Sequence, residues 1–170
     1  MTITDQLLLI AQRVANLQPG FFDVKSSARG DDATSAYMRD LRSAVEAQLG
    51  RGYSEHRICG DHRLAMDFFI ERDRTVIEVA FGLRNSNSEF ERDILKVLMA
   101  REAGVEVRRL VFIAKPGGEK RVSQASSRAI VEWAARNHQL EIAVRDLADT
   151  SSRPKAHSVG QPKERRSTES

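Results

Sequence analysis

Two apolar alternations meet across a charged turn in the run Arg63 to Gly82, RLAMDFFIERDRTVIEVAFG. Leu64, Met66, Phe68 and Ile70 alternate with Ala65, Asp67, Phe69 and Glu71, and a second alternation runs from Thr75 to Phe81. A period of two belongs to strands, so the run predicts a β-hairpin. In its second arm Ile77, Val79 and Phe81 share one face, and Val76, Glu78, Ala80 and Gly82 share the other. Glu78 thus stands where the pattern asks for an apolar residue. With a two-residue loop at Arg72-Asp73, Glu71 opposes Arg74 and Asp67 lies directly opposite Glu78. A slip of one residue turns Asp67 toward the side of Ile77 and Val79 instead.

Two carboxylates at cross-strand distance repel, and a half-buried one is costly unless its charge is offset. A divalent cation provides that offset. Mg²⁺ suits an oxygen-only site with few protein ligands, because it keeps several waters and binds through one or two carboxylates plus a substrate phosphate. The competing outcome is a salt bridge, since Arg63, Arg72, Arg74 and Arg84 are all close in sequence.

A chain of 170 residues holds one domain with a proper core and is short for two. The expected organisation is a single domain over 1–146, with an N-terminal helical extension, and a flexible basic tail over 147–170. Hydrophobic residues are 41% and charged residues 30%, a soluble balance, and no apolar run approaches the roughly 20 residues that span a bilayer. The opening MTITDQLLLIAQRVANLQPG carries Asp5 in place of a basic stretch, so no signal peptide is expected and the location is read as cytoplasmic. Cys59 is the single cysteine, which excludes an internal disulfide and a multi-thiolate zinc site. His56, His62, His138 and His157 show no H-x-x-x-H spacing. The net charge of +3 is carried by Ser151 to Ser170, with five basic against two acidic residues, which leaves a neutral body.

The rest of the chain reads as alternating elements. Asp5 to Leu17, preceded by Thr4, has helical apolar spacing and stops at Pro19-Gly20, and Phe21 to Lys25 is a short extended piece. Ser35 to Leu49 is a second helix with Tyr37, Met38, Leu41, Val45 and Leu49 in one stripe. Glu46 lies at the edge of that stripe, an i, i+4 partner for Arg42. Tyr53 to Cys59 is a first strand. A third helix opens at Ser88 and Glu91, a capping box, with Phe90, Ile94, Leu95, Leu98 and Met99 as its apolar face. Glu89, Glu91 and Asp93 are accounted for by helix-start chemistry and the macrodipole. Lys96 lies beyond the reach of the dipole, and a solvated lysine is its ordinary state. Glu106 to Ala114 is an interior strand, Val122 to Arg136 a helix with Val122, Ala125, Ala129 and Trp133 in one row, and Leu140 to Arg145 a last strand. Trp133 reads as core packing.

The succession gives an α/β protein with a mixed central sheet flanked by helices. With an acid in the second strand, IEVAFGL as the third, the helix EFERDILKVLMA and the strand RRLVFIA, the sequence resembles the PD-(D/E)XK nuclease superfamily over Ser35 to Ala114. It is similar in particular to type II restriction endonucleases with an EVEFG-type third strand. The resemblance implies an αβββαβ core in which Asp67 and Glu78 ligate Mg²⁺, helped by the Val79 carbonyl, with DNA as partner and a homodimer where both strands are cut. The family's third position, Lys, Glu or Gln, falls on Ala80, a departure. Lys96, reaching back from the following helix, is the best substitute, and Glu46 is an extra acid from the preceding one. Two functions of different class follow: a Mg²⁺-dependent DNA endonuclease, or a catalytically impaired nucleic-acid-binding or protein-interaction module on the same fold. A structural partner protein with its acids held in salt bridges is a third.

Overall fold

The computed structural model describes residues 1–23, 29–57, 65–83 and 89–150. Helix α1 (Ile3–Leu17) starts earlier than the apolar spacing indicated. The Thr2 hydroxyl accepts the Asp5 amide at 3.0 Å and the Asp5 carboxylate accepts the Thr2 amide at 2.9 Å, a reciprocal cap. Thr4 is thereby left to bond outside the helix, and its amide and hydroxyl both donate to Asp73 Oδ2 at 2.7 Å. The helix is fastened to the hairpin turn. The chain then turns through Phe21 to Asp23, where a short extended piece was expected, and Phe21 is buried. Helix α2 (Arg29–Leu49) begins before Ser35 and buries Tyr37, Leu41 and Val45 before Gly50 ends it at φ 69°.

Five strands follow: β1 (Ser54–Arg57), β2 (Ala65–Ile70), β3 (Thr75–Val79), β4 (Arg109–Ala114) and β5 (Glu141–Asp146). They form one sheet in chain order, antiparallel from β1 to β3 and parallel from β3 to β5. The parallel pairs need crossovers. Helix α3 (Glu89–Glu102) supplies the first, and α4 (Gly118–Val122) with α5 (Ala125–His138) the second. This is the mixed α/β architecture expected. Cys59, His62, Arg63, Leu64, Arg84, Ser88 and His157, and with them the Ser88 cap and the tail from 151, lie outside the described residues.

The hairpin has the expected register through an unexpected turn. Phe68 pairs with Ile77, Phe69 with Val76 and Ile70 with Thr75. The loop is a 3₁₀ turn over Glu71–Asp73, with Arg74 left-handed at φ 50° and its amide donating to the Glu71 carbonyl. The turn is wider than a two-residue loop but spends an even number of residues, so the facing pairs are unchanged.

Each face of the sheet carries its own core. On one side α1 and α2 cover Phe68, Ile70, Ile77, Val79, Val111 and Ile113. On the other α3 and α5 cover Phe69, Val76, Ala80, Leu110, Phe112 and Ala114. α1 is thus part of the core, not an extension of it. Leu147 is buried in the α1 side, and Ala148 exchanges two 2.8 Å hydrogen bonds with the Gln12 side chain, so packing runs past the expected start of the tail.

Two helix faces differ from expectation. Leu95 is 57% exposed, because α3 turns Phe90, Ile94, Val97 and Ala100 inward. Trp133 is 44% exposed, because α5 packs through Ser127, Ile130, Val131 and Ala134, one step round from the row that contains the tryptophan. Among the described residues no helix is long and apolar enough to cross a membrane.

Candidate active site

The charged centre forms where β2 and β3 part. Their backbone pairing ends at Phe68 and Ile77, and one step further in the same register stand Asp67 and Glu78. Alternation along β2 also breaks there. Met66 packs with Phe69 and Val76 on the α3 side, where a strict period of two puts it with Phe68 and Ile70. Asp67 bridges the gap with its side chain: Oδ2 accepts the Val79 amide at 2.8 Å. A residue in an extended strand sends its N–H and C=O to the same side, so the Val79 carbonyl is turned toward the same gap.

Glu78 occupies the α3 face of β3 between Val76 and Ala80 and is 2% exposed. Its partner comes from α3. Lys96 Nζ stands 2.9 Å from Glu78 Oε1 and 2.9 Å from Asp93 Oδ1, and it donates a hydrogen bond to the Ala65 carbonyl at 3.1 Å. Lys96 is 8% and Asp93 3% exposed. At 2.9 Å both carboxylate oxygens lie at charge-assisted hydrogen-bond distance from the ammonium.

The four groups govern one another. Burial pushes the Glu78 carboxyl up to about 8, with the Asp67 charge adding to the effect and Lys96 opposing it. Burial also raises Asp67, against the Val79 amide and the charge of Lys96, which favour its ionised form. For Lys96, burial favours the neutral amine, but the carboxylates of Glu78 and Asp93 outweigh it and hold the ammonium above the ordinary lysine value.

The structure therefore brings together Asp67, Glu78, Val79 and Lys96 from the residues singled out in the sequence. The solvated state expected for Lys96 is overturned, and among the described residues Glu78 pairs with Lys96, while Arg63 and Arg84 lie outside them. Arg74 instead pairs with Glu106 at 3.1 Å. Glu46 is not brought in: it is exposed on α2, and among the described residues its carboxylate makes no hydrogen bond or ion pair. Ala80 is wholly buried in the α3-side core. Asp93, which its sequence position assigns to helix-start chemistry, instead stands in the centre, a correction to that expectation. The signal was there, since Phe90, Asp93, Ile94 and Val97 form one helical stripe, and an acid on an apolar stripe needs a partner.

The donors are all oxygen, which fits a hard cation. Among the described residues no group of three or more acidic, histidine or cysteine side chains is placed to hold a metal ion, so any cation here would rest on the two carboxylates of Asp67 and Glu78. Set against protein-family models, curated proteins and solved structures, the chain matches none.

Proposed function

We propose that this centre hydrolyses DNA phosphodiester bonds with Mg²⁺, as an endonuclease of restriction-endonuclease-like fold. The observation that carries the reading is the charge balance between the strands and α3. With all groups ionised, the carboxylates of Asp67, Glu78 and Asp93 outnumber Lys96 and the more distant Arg42, and the excess of negative charge suits a cation. Apolar residues of similar volume in such a place are often as stable or more so, so fold stability alone gives no reason for this cluster. The order of elements from α2 to β4, helix, three strands, helix, strand, supports the resemblance to the PD-(D/E)XK superfamily.

Asp67, Glu78 and the Val79 carbonyl would hold the ion. When bound, Mg²⁺ supplies Lewis-acid polarisation of the phosphate and a water acidified for attack. The chain's own part falls to Lys96. When Glu78 turns its carboxylate away from the ammonium, Lys96 gains a free N–H with which to orient the water and offset charge on the phosphate, a role that Ala80 cannot perform. The buried walls from Val76, Ala80 and Phe112 keep bulk water from that side.

Incubating the purified protein with supercoiled plasmid and Mg²⁺ tests the reading. Nicking or linearisation that EDTA, Asp67→Ala and Glu78→Ala each abolish is the expected result; a plasmid left whole by the wild-type protein overturns it. Ala80, together with the existing contact between Lys96 and Glu78, favours a second reading, a binding module without catalysis. That module retains DNA in EDTA and in both variants, with a salt-dependent affinity.

A further inference from the structure

Asp93 is unlike the other acids at the start of α3. A carboxylate that serves only the helix dipole stays in water, as Glu91 does, whereas Asp93 is turned to the sheet on the stripe of Phe90, Ile94 and Val97. Among the described residues its other ion pair is with Arg92, 3.7 Å away and largely solvated, a contact of little weight. Its substantial partner is the Lys96 ammonium, one turn on.

We propose that Asp93 is a positioning residue that aims Lys96 at the scissile phosphate; the inference rests on the nuclease reading. A lysine side chain has about 2 kcal/mol of rotamer entropy to lose, so a lone ammonium reaching from a helix is loosely aimed. Three groups fix this one: Ala65 O, Glu78 Oε1 and Asp93 Oδ1. Ala65 offers a neutral carbonyl, and Glu78 is needed for the ion. Asp93 is the charged anchor that stays with the lysine once Glu78 is engaged elsewhere. It thereby lets a helix residue stand in for the strand position occupied by Ala80.

The test compares wild type, Asp93→Asn, Lys96→Gln and the double variant for kcat and KM on a plasmid substrate, with Mg²⁺ binding followed by calorimetry. Asp93→Asn is expected to lower kcat by about 100-fold, the cost of misplacing a reacting group by an ångström. KM and Mg²⁺ affinity stay within about twofold of wild type, and Lys96→Gln abolishes the difference between Asp93 and Asn. Undiminished kcat in Asp93→Asn overturns the inference and spares the nuclease reading. So does a loss that adds in full to that of Lys96→Gln, or a collapse of Mg²⁺ binding, which makes Asp93 a ligand. A wild-type protein without cleavage overturns the nuclease reading and the inference together. If Asp93→Asn fails to fold by circular dichroism, Asp93→Glu, which keeps the charge and moves it by one methylene, takes its place in the same cycle with the same expected loss of kcat.

Discussion

Glu78 holds a proton in the folded protein over a pH range in which the unfolded chain has lost it. Its ordinary value is 4.5, and burial with the Asp67 charge raises it to about 8. Between those values the native state binds more protons than the unfolded state, so the free energy of unfolding falls as pH rises. Asp67, also raised, acts in the same direction. Lys96 is raised as well, but its contribution is complete below the ordinary lysine value and lost only above it. Thermal melts without divalent ions should therefore show a midpoint that declines from about pH 5 to about pH 8. In Glu78→Gln, which cannot ionise, the decline is expected to be much shallower; parallel curves for the two proteins contradict the assignment. Glu78 was legible from sequence because an acid interrupts an alternation. Asp93 was less so, because a helix start excuses any acid near its first turn, and only the tertiary contact separates the two explanations.

At the scale of elements, α5 shows how a small shift of face defeats sequence reading. Alanines occupy several rows of this helix, so apolar spacing alone does not choose between the row of Trp133 and the row of Ile130 and Ala134. The partly exposed ring makes a checkable difference. Trp133→Ala should cost under about 1 kcal/mol in denaturant unfolding, whereas a core tryptophan costs about 3–5 kcal/mol. The turn between β4 and α4 gives the reverse case. Asp146 accepts the Gly117 and Glu119 amides at 2.8 and 3.0 Å, and a Cβ on Gly118 would lie 2.4 Å from that of Ala114 and 2.8 Å from Asp146 Oδ1. Gly118→Ala is expected to destabilise by about 1–3 kcal/mol, as overpacking does, measured in the same unfolding experiment. The hairpin register was legible because it depends on the parity of the loop. The 3₁₀ turn was not, because an arginine in the left-handed region leaves no glycine or asparagine signature.

The whole molecule is a sheet closed by helices on both faces, and the centre depends on both. The α1 and α2 layer buries the face of β3 opposite Glu78, and Thr4 with Asp73 ties α1 to the hairpin that carries the acids. Removing residues 1–17 should consequently expose Phe68, Ile77 and Val111 and destroy cooperative unfolding; a truncated chain with a native-like melt contradicts this account of the core. Element order and a mixed sheet were legible because the strands and amphipathic helices alternate. The placement of α1 in the core was not, since sequence gives a helix its apolar face without naming what that face covers. The proposed chemistry requires the acids of β2 and β3 to take up one hard cation. Calorimetric titration of Mg²⁺ into the protein at about pH 8 should show one ion per chain, with binding lost in Asp67→Asn and in Glu78→Gln, whereas no binding heat, or the same heat in both variants, contradicts it.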